Sequence, residues 1–283
     1  MWIDPETRLT CLLGHPVSHS VSPAIHNESY RRLGLNAVYL AFDVKNLSRA
    51  VEGLKELGAV GCNVTIPHKE EARGLVDLLS EEAEQVGAVN TIKFGDDLVG
   101  YNTDVHGVSH TLELLGVGEI DRALILGAGG AARSVLVGIA GRARLVYVTS
   151  RNIRGARGIL ELCGGVGLDA LAIPWGERDL YLGEVDLLIN ATPVGTLGEG
   201  VPVDPRRLRP GCYVFDLVYN PPVTTLVREA VRRGCRALGG LPMLVRQAAE
   251  AERIWFGVEP DEEAMMRAAE RALGVKDEGG GEG

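Results

Sequence analysis

Apolar residues fall into short continuous runs that alternate with stretches where they return every three or four positions. The runs, bounded by Gly, Pro or Asp, predict strands, and the longer spacing predicts helices. Over the first hundred residues the predicted strands are Leu9–Leu13, Val38–Phe42, Gly61–Val64 and Thr91–Phe94. A hairpin around Gly95-Asp96-Asp97 joins the last of these to Leu98–Tyr101. Helices are predicted at Pro23–Leu33 and Asn46–Leu57, each closed by a glycine, Gly34 or Gly58.

A second unit begins near Asp121, with strands at Arg122–Leu126, Leu145–Thr149, Ala170–Ile173, Asp186–Asn190, Tyr213–Leu217 and Cys235–Ala237. Helices at Ala131–Ala140 and Val223–Arg233 connect some of them. This alternation predicts a parallel α/β architecture. Two further helices, Met243–Phe256 and Asp261–Leu273, carry apolar stripes such as Leu244, Val245, Ala248 and Ala249. If they pack back on the first domain, that domain is discontinuous. The ending Asp-Glu-Gly-Gly-Gly-Glu-Gly has nothing to bury, and residues 276–283 are expected to be a disordered tail.

The chain of 283 residues has room for two medium domains, and its net charge of -9 makes nucleic acid a poor partner. Local basic residues still permit an anionic small molecule. The N-terminus lacks a basic stretch followed by an apolar one, so no secretory signal is expected. The most apolar segment, Ala123 to Ala140, contains Arg133 and several glycines, and suits a strand-turn-helix better than a membrane span. The cysteines Cys11, Cys62, Cys163, Cys212 and Cys235 form no CxxC pair, which predicts reduced thiols and a cytoplasmic protein. His15 with His19, and His106 with His110, have i, i+4 spacing, but no third ligand stands at metalloprotease spacing and no metal is expected.

Two constellations carry chemistry. In the first, a strand from Arg122 runs into Gly127-Ala128-Gly129-Gly130-Ala131 and then into a helix. Gly127 permits a tight turn, Gly129 lets a pyrophosphate approach the backbone, and the small Ala132 allows close helix–strand packing. The helix N-terminus offers free N–H groups to phosphate. An NAD site usually ends the next strand with an acid. Here that strand ends in Thr149-Ser150-Arg151-Asn152, with Arg154 close behind. A guanidinium suits a 2′-phosphate, so NADP is the predicted cofactor.

In the second, Gly61-Cys-Asn-Val-Thr-Ile-Pro-His-Lys69 delivers Asn63 and Thr65 from a strand, breaks at Pro67 and sets Lys69 in a rigid turn. A lysine held beside small polar groups suits proton transfer to or from an alcohol. Ser20 and Ser22 stand before a helix, where Ser22 with Pro23 reads as an N-cap with proline at N1. Two hydroxyls at a helix start could also hold a carboxylate. Ala88-Val-Asn90-Thr91 and Tyr101-Asn102-Thr103-Asp104 present polar groups at element ends.

Together with Asn190-Ala-Thr192 and Gly240-Leu-Pro-Met-Leu-Val-Arg-Gln247, these segments resemble the shikimate dehydrogenases, in the family's order over about the first 250 residues. The resemblance implies NADPH-dependent reduction of 3-dehydroshikimate to shikimate, in aromatic amino-acid biosynthesis. It implies two α/β domains with a cleft between them: residues 1–103 with 241–275 for substrate, and a Rossmann-type domain at 104–240 for NADP. Ser20, Ser22 and Tyr219 would bind the substrate carboxylate. Thr65, Asn90, Asp104 and Gln247 would hold ring hydroxyls, and Lys69 with Asp104 would form the catalytic pair. Leu217 and Gly240 would lie near the nicotinamide, with Thr192 along the same cleft. A homodimer is compatible with the resemblance. Where the family commonly has Asn-Arg-Thr, this chain has Ser150-Arg151-Asn152, and the usual second arginine comes one position early as Arg154. A quinate/shikimate dehydrogenase accepting NAD is the alternative enzyme, opposed by Arg151. A non-catalytic NADP- or shikimate-binding sensor is the alternative from another class, opposed by Lys69 and Asp104.

Overall fold

The structure, a computed structural model, describes residues 3–275, so the expected tail at 276–283 lies outside them. The chain forms β1 (Arg8–Gly14), α1 (Ser22–Leu33), β2 (Ala37–Asp43), α2 (Leu47–Glu56), β3 (Gly61–Val64), α3 (Lys69–Ala72), β4 (Leu78–Leu79), α4 (Glu81–Val86), β5 (Thr91–Lys93) and β6 (Val99–Tyr101). It continues through α5 (Asp104–Leu115), β7 (Ile120–Leu126), α6 (Gly130–Gly138), β8 (Ala143–Thr149), α7 (Ile153–Gly158), α8 (Leu160–Gly165), β9 (Asp169–Ala172), β10 (Leu187–Asn190), β11 (Tyr213–Asp216), α9 (Thr225–Arg232) and β12 (Arg236–Leu238). Helices α10 (Leu241–Phe256) and α11 (Glu262–Ala272) close it.

Two compact units result. The first comprises the chain up to Ala83, Ala88–Thr103 and the chain from Val245 onward; the second comprises Glu84–Gly87 and Asp104–Leu244. The return to the first unit therefore falls inside α10, after Leu244 rather than at residue 241, because a helix need not break where its packing partner changes.

The first unit's sheet has the order β2-β1-β3-β5-β6-β4. It is mixed: β1 runs parallel to β2 and β3, while β5 is antiparallel to β6, as the predicted hairpin requires, and also to β3. The hairpin pairs Thr91 with Tyr101. A link as short as 94–98 can reverse a strand but cannot cross over to a parallel one. Leu13, Leu47, Val64 and Ile92 fill the core on one side, and Tyr30, Tyr39, Ala251 and Trp255 meet on the other.

The second unit's sheet is parallel throughout, in the order β12-β11-β10-β7-β8-β9. The chain winds outward from β7 to β9, then restarts beside β7 at β10 and winds the other way. Ligands of open α/β sheets bind at such a switch point, outside the carboxyl ends of the strands. Apolar layers cover both faces, with Ile125, Val135, Leu136 and Phe215 in one and Leu124, Leu126, Leu188 and Val214 in the other. This two-sided burial explains the near-continuous apolar runs of the strands.

Candidate active site

At the switch point, Gly127 follows β7 with φ +114°, and a Cβ there would stand 2.8 Å from the Ala191 carbonyl oxygen, just past β10. Only glycine satisfies both demands. Ala128 and Gly129 complete the turn, and a Cβ at Gly129 would meet nothing, so the backbone there is open to a large anion. Gly130 and Ala131 begin α6, whose first turn carries no acidic residue and leaves its positive end uncompensated.

The end of β8 supplies cationic groups. Asn152 caps α7 by accepting from Arg154 N–H at 3.0 Å, while the Ser150 hydroxyl donates to the Asn152 carbonyl at 2.5 Å. Both side chains thus fix the turn that presents the exposed Arg151 and Arg154. The Thr149 hydroxyl is buried and has no hydrogen-bond partner among the described residues. It adjoins the glycine turn, since Gly127 N–H donates to Thr149 O at 2.8 Å. Its place at the end of an apolar strand gives no sign of this in the sequence. The open turn, the uncompensated helix end and the guanidinium groups fit a dinucleotide bearing a 2′-phosphate.

In the first unit, Thr65 N–H extends the ladder beyond β3 by donating to Leu13 O at 2.9 Å. Pro67 then stops it, and His68 N–H closes the turn onto Thr65 O at 2.9 Å. Lys69 opens α3, and its carbonyl accepts from Val89 N–H at 2.8 Å; Val64 N–H donates to Asn90 O at 2.8 Å. Thr65, Lys69 and Asn90 therefore lie on neighbouring segments tied through their backbones.

Buried side chains hold Asn90 in one orientation. Its Oδ1 accepts from Thr103 N–H at 2.8 Å and from the Thr91 hydroxyl at 2.9 Å, and its Nδ2 donates to Thr103 Oγ1 at 2.9 Å. Thr103 Oγ1 lies 3.5 Å from Gln247 Oε1, which brings Gln247 on α10 to the same cluster. Behind Thr91, Asn63 Nδ2 donates to its hydroxyl at 2.9 Å, and the Tyr39 hydroxyl donates to Asn63 Oδ1 at 2.7 Å. Such satisfied networks rigidify a site. Tyr39 lies within an apolar run and carries no signal of this role in the sequence.

Ser22 does not cap α1. Val21 occupies the N-cap position, and its side chain makes no capping hydrogen bond. Ser22 instead is the first helical residue, its N–H donates to Ser20 Oγ at 3.2 Å, and Ser20 donates to Ser22 Oγ at 3.2 Å. Both hydroxyls thus cluster at the helix start without serving its backbone in the way predicted. Asp104 is buried at the start of α5, in the second unit by contacts but one peptide bond beyond Thr103. Thr192, Leu217, Tyr219 and Gly240 lie in the second unit, in the segments after β10, β11 and β12. Burial raises the Tyr219 phenol above its ordinary value. Among the described residues no three His, Cys, Asp or Glu side chains converge to hold a metal ion.

Comparison with known proteins agrees over nearly the whole chain. Residues 12–92 match the shikimate dehydrogenase substrate binding domain, and residues 240–270 match the shikimate 5'-dehydrogenase C-terminal domain. The shikimate dehydrogenase (NADP(+)) of Rubrobacter xylanophilus is 46% identical over 274 residues, covering 94% of this chain and 96% of its own length. That of Pyrococcus furiosus is 42% identical over 280 residues, covering 94% and 97%. Among solved structures, a shikimate dehydrogenase in complex with NADP+ superposes with a TM-score of 0.89 at 38% identity, covering 96% of this chain and 98% of that one. The Thermus thermophilus shikimate 5-dehydrogenase, in complex with NADP(H) and shikimate, gives 0.83 at 37%, covering 94% and 99%. A quinate dehydrogenase from Corynebacterium glutamicum in complex with NAD gives 0.87 at 28%, covering 93% and 98%.

Proposed function

This chain belongs to the shikimate dehydrogenase family, and we infer that it catalyses the reversible NADPH-dependent reduction of 3-dehydroshikimate to shikimate, a step of aromatic amino-acid biosynthesis. The observation that carries the reading is identity of 42–46% over nearly the full length of relatives named as shikimate dehydrogenase (NADP(+)), in a chain that keeps Lys69 and Asp104. We assign substrate binding to the first unit and NADP binding to the second, which moves the expected boundary from residue 241 to after Leu244.

NADPH, when bound, supplies the hydride that reduces the ketone carbon. Gly127, Ala128, Gly129, Gly130 and Ala131 receive the pyrophosphate in this reading. Ser150, Arg151, Asn152 and Arg154 form the loop for the 2′-phosphate, with Arg151 its main ligand. Thr192, Leu217 and Gly240 serve the nicotinamide end. Ser20, Ser22 and Tyr219 bind the substrate carboxylate, and Thr65, Asn90, Asp104 and Gln247 orient the ring hydroxyls. Lys69 gives a proton to the developing alkoxide oxygen and returns to its charged form from solvent; Asp104 keeps the ammonium oriented and available.

The test is turnover of shikimate with NADP+ and, separately, with NAD+, followed by the absorbance of the reduced nicotinamide. We expect turnover with NADP+ favoured. No turnover with either would make the chain a binding protein, and preference for NAD+ with quinate would favour the second enzyme class, which the quinate dehydrogenase neighbour represents.

The five cysteines are free and buried, which suits the reducing cytoplasm we assign. Among the described residues no helix is long and apolar enough to cross a membrane. A homodimer belongs to the same proposal, and a single-chain mass by light scattering would refute it. Its contact would lie away from the middle of edge strand β2. There the Asn27 amide already takes both Tyr39 N–H and Tyr39 C=O, each at 2.9 Å, and so closes that edge to a further strand.

A further inference from the structure

Three segments of the second unit converge on one buried carboxylate. Asp216, the last residue of β11, is fully buried. Its hydrogen-bond donors are all neutral: Asn190 Nδ2 at 2.8 Å and Val218 N–H at 3.2 Å on Oδ1, and the Thr224 hydroxyl at 2.6 Å on Oδ2. Burial raises its carboxyl above the usual range, and those donors oppose the rise.

The carboxylate fixes a polarity. An ionised carboxylate only accepts, so the Asn190 amide turns its NH2 toward Asp216, the orientation that the backbone of Thr192 and Val194 also favours. That NH2 also donates to Val194 O at 3.1 Å. Asn190 Oδ1 is thereby turned toward Thr192, where it accepts from Thr192 N–H at 3.1 Å and from the Thr192 hydroxyl at 2.6 Å. The hydroxyl has given away its only proton and already accepts from Val194 N–H at 3.3 Å, so Thr192 can meet a ligand only as an acceptor, through its remaining lone pair.

The same root orders the neighbouring segments. Val218, whose N–H bonds Asp216, accepts at its carbonyl from Gly240 N–H at 3.0 Å. Asn220 O accepts from Leu197 N–H at 2.7 Å, which ties the segment after β11 to the one after β10.

We propose that Asp216 is a positioning residue for the cofactor: through Asn190 it presents Thr192 as a hydrogen-bond acceptor to an N–H donor at the nicotinamide end, and through Val218 it fixes the Leu217–Tyr219 segment. This rests on the cofactor reading above. Asp216→Asn keeps the size of the side chain but removes its charge and one of its two acceptor oxygens, so its NH2 must face either the Thr224 hydroxyl or the Asn190 NH2 and Val218 N–H, which now donate to the carboxylate.

The experiment measures NADP+ binding by calorimetry, kcat and KM, and the melting temperature, on wild type and Asp216→Asn. The expected result is NADP+ binding at least about tenfold weaker, a loss of the size produced when one buried polar partner is left unmatched, with the melting temperature changed by no more than about 4 °C. Unchanged binding and kcat/KM overturn the inference. So does a loss of binding that only tracks the unfolded fraction, since that is what a merely structural residue would give. If Asp216→Asn does not fold, Thr224→Ser and Thr224→Val take its place, with the melting temperature read beside binding because Thr224 Oγ1 also caps α9: serine keeps the donor to Asp216 and should retain binding, valine should not, and equal effects, or a loss that only tracks the unfolded fraction, overturn the inference. A wild-type chain that does not bind NADP+ would overturn the cofactor reading itself, an outcome distinct from the others.

Discussion

Lys69→Ala is expected to lower kcat by about 10²–10⁴-fold, the range that positioned general acid–base groups contribute, while leaving substrate affinity within a few-fold of wild type. The reasoning starts from the turn. Pro67 ends the ladder, His68 N–H closes onto Thr65 O, and Lys69 O is held by Val89 N–H, so the backbone of residue 69 has little freedom. An ammonium carried on so constrained a backbone is of most use where charge develops, on the ketone oxygen as it becomes an alkoxide. An interaction made chiefly in the transition state appears in kcat rather than in KM. Truncation at Cβ leaves those backbone bonds in place, and the proline turn does not depend on the ammonium. Steady-state kinetics with equilibrium binding of shikimate separates the two quantities. A kcat within a few-fold of wild type would remove Lys69 from the chemistry.

The second large effect concerns the choice of nucleotide. Arg151→Ala is expected to weaken NADP+ binding by about one to two orders of magnitude, from a charged hydrogen bond worth about 1.5–3 kcal/mol. NAD+ binding should stay within about twofold, since NAD+ has no 2′-phosphate for the guanidinium to meet. Asn152 and Ser150 hold the turn through their own bonds, so the loop should keep its shape when the exposed Arg151 side chain is shortened. Fluorescence titration with both nucleotides decides the matter. Equal losses for NADP+ and NAD+ would show that the residue acts on the loop and not on the phosphate. The loss for NADP+ should shrink at high salt, as exposed charge interactions do.

Much of this protein is legible in its sequence because the signals are local. The apolar runs of β7, β8, β10 and β11 are strands buried on both faces, and burial of that kind writes itself into consecutive residues. Gly127, Pro67 and the Ser150–Arg154 segment are informative because their backbone or charge requirements hold whatever surrounds them.

Other features are decided only by tertiary contacts. Helix α5 has no clear signal in the sequence, and its Gly107 shows why: a Cβ there would lie 2.7 Å from Met243 O. Close packing demands a residue that weakens the local helix signal. Ser22 reads as an N-cap, but the helix begins at Ser22 itself and the serine pairs with Ser20 instead. The hairpin of β5 and β6 is legible in the sequence, but the antiparallel pairing of β5 with β3 joins segments distant in the chain. The chain by itself determined the alternating α/β elements, the glycine turn, the arginine in place of an acid and the proline-bounded lysine, since each rests on backbone geometry or charge within a few residues. The tertiary structure alone decided the orientation of Asn90 through Tyr39 and Asn63, and the burial of Asp216 against Asn190 and Thr224. Such hydrogen bonds join side chains up to some tens of residues apart, and their cost and benefit appear only when burial removes water as the competing partner.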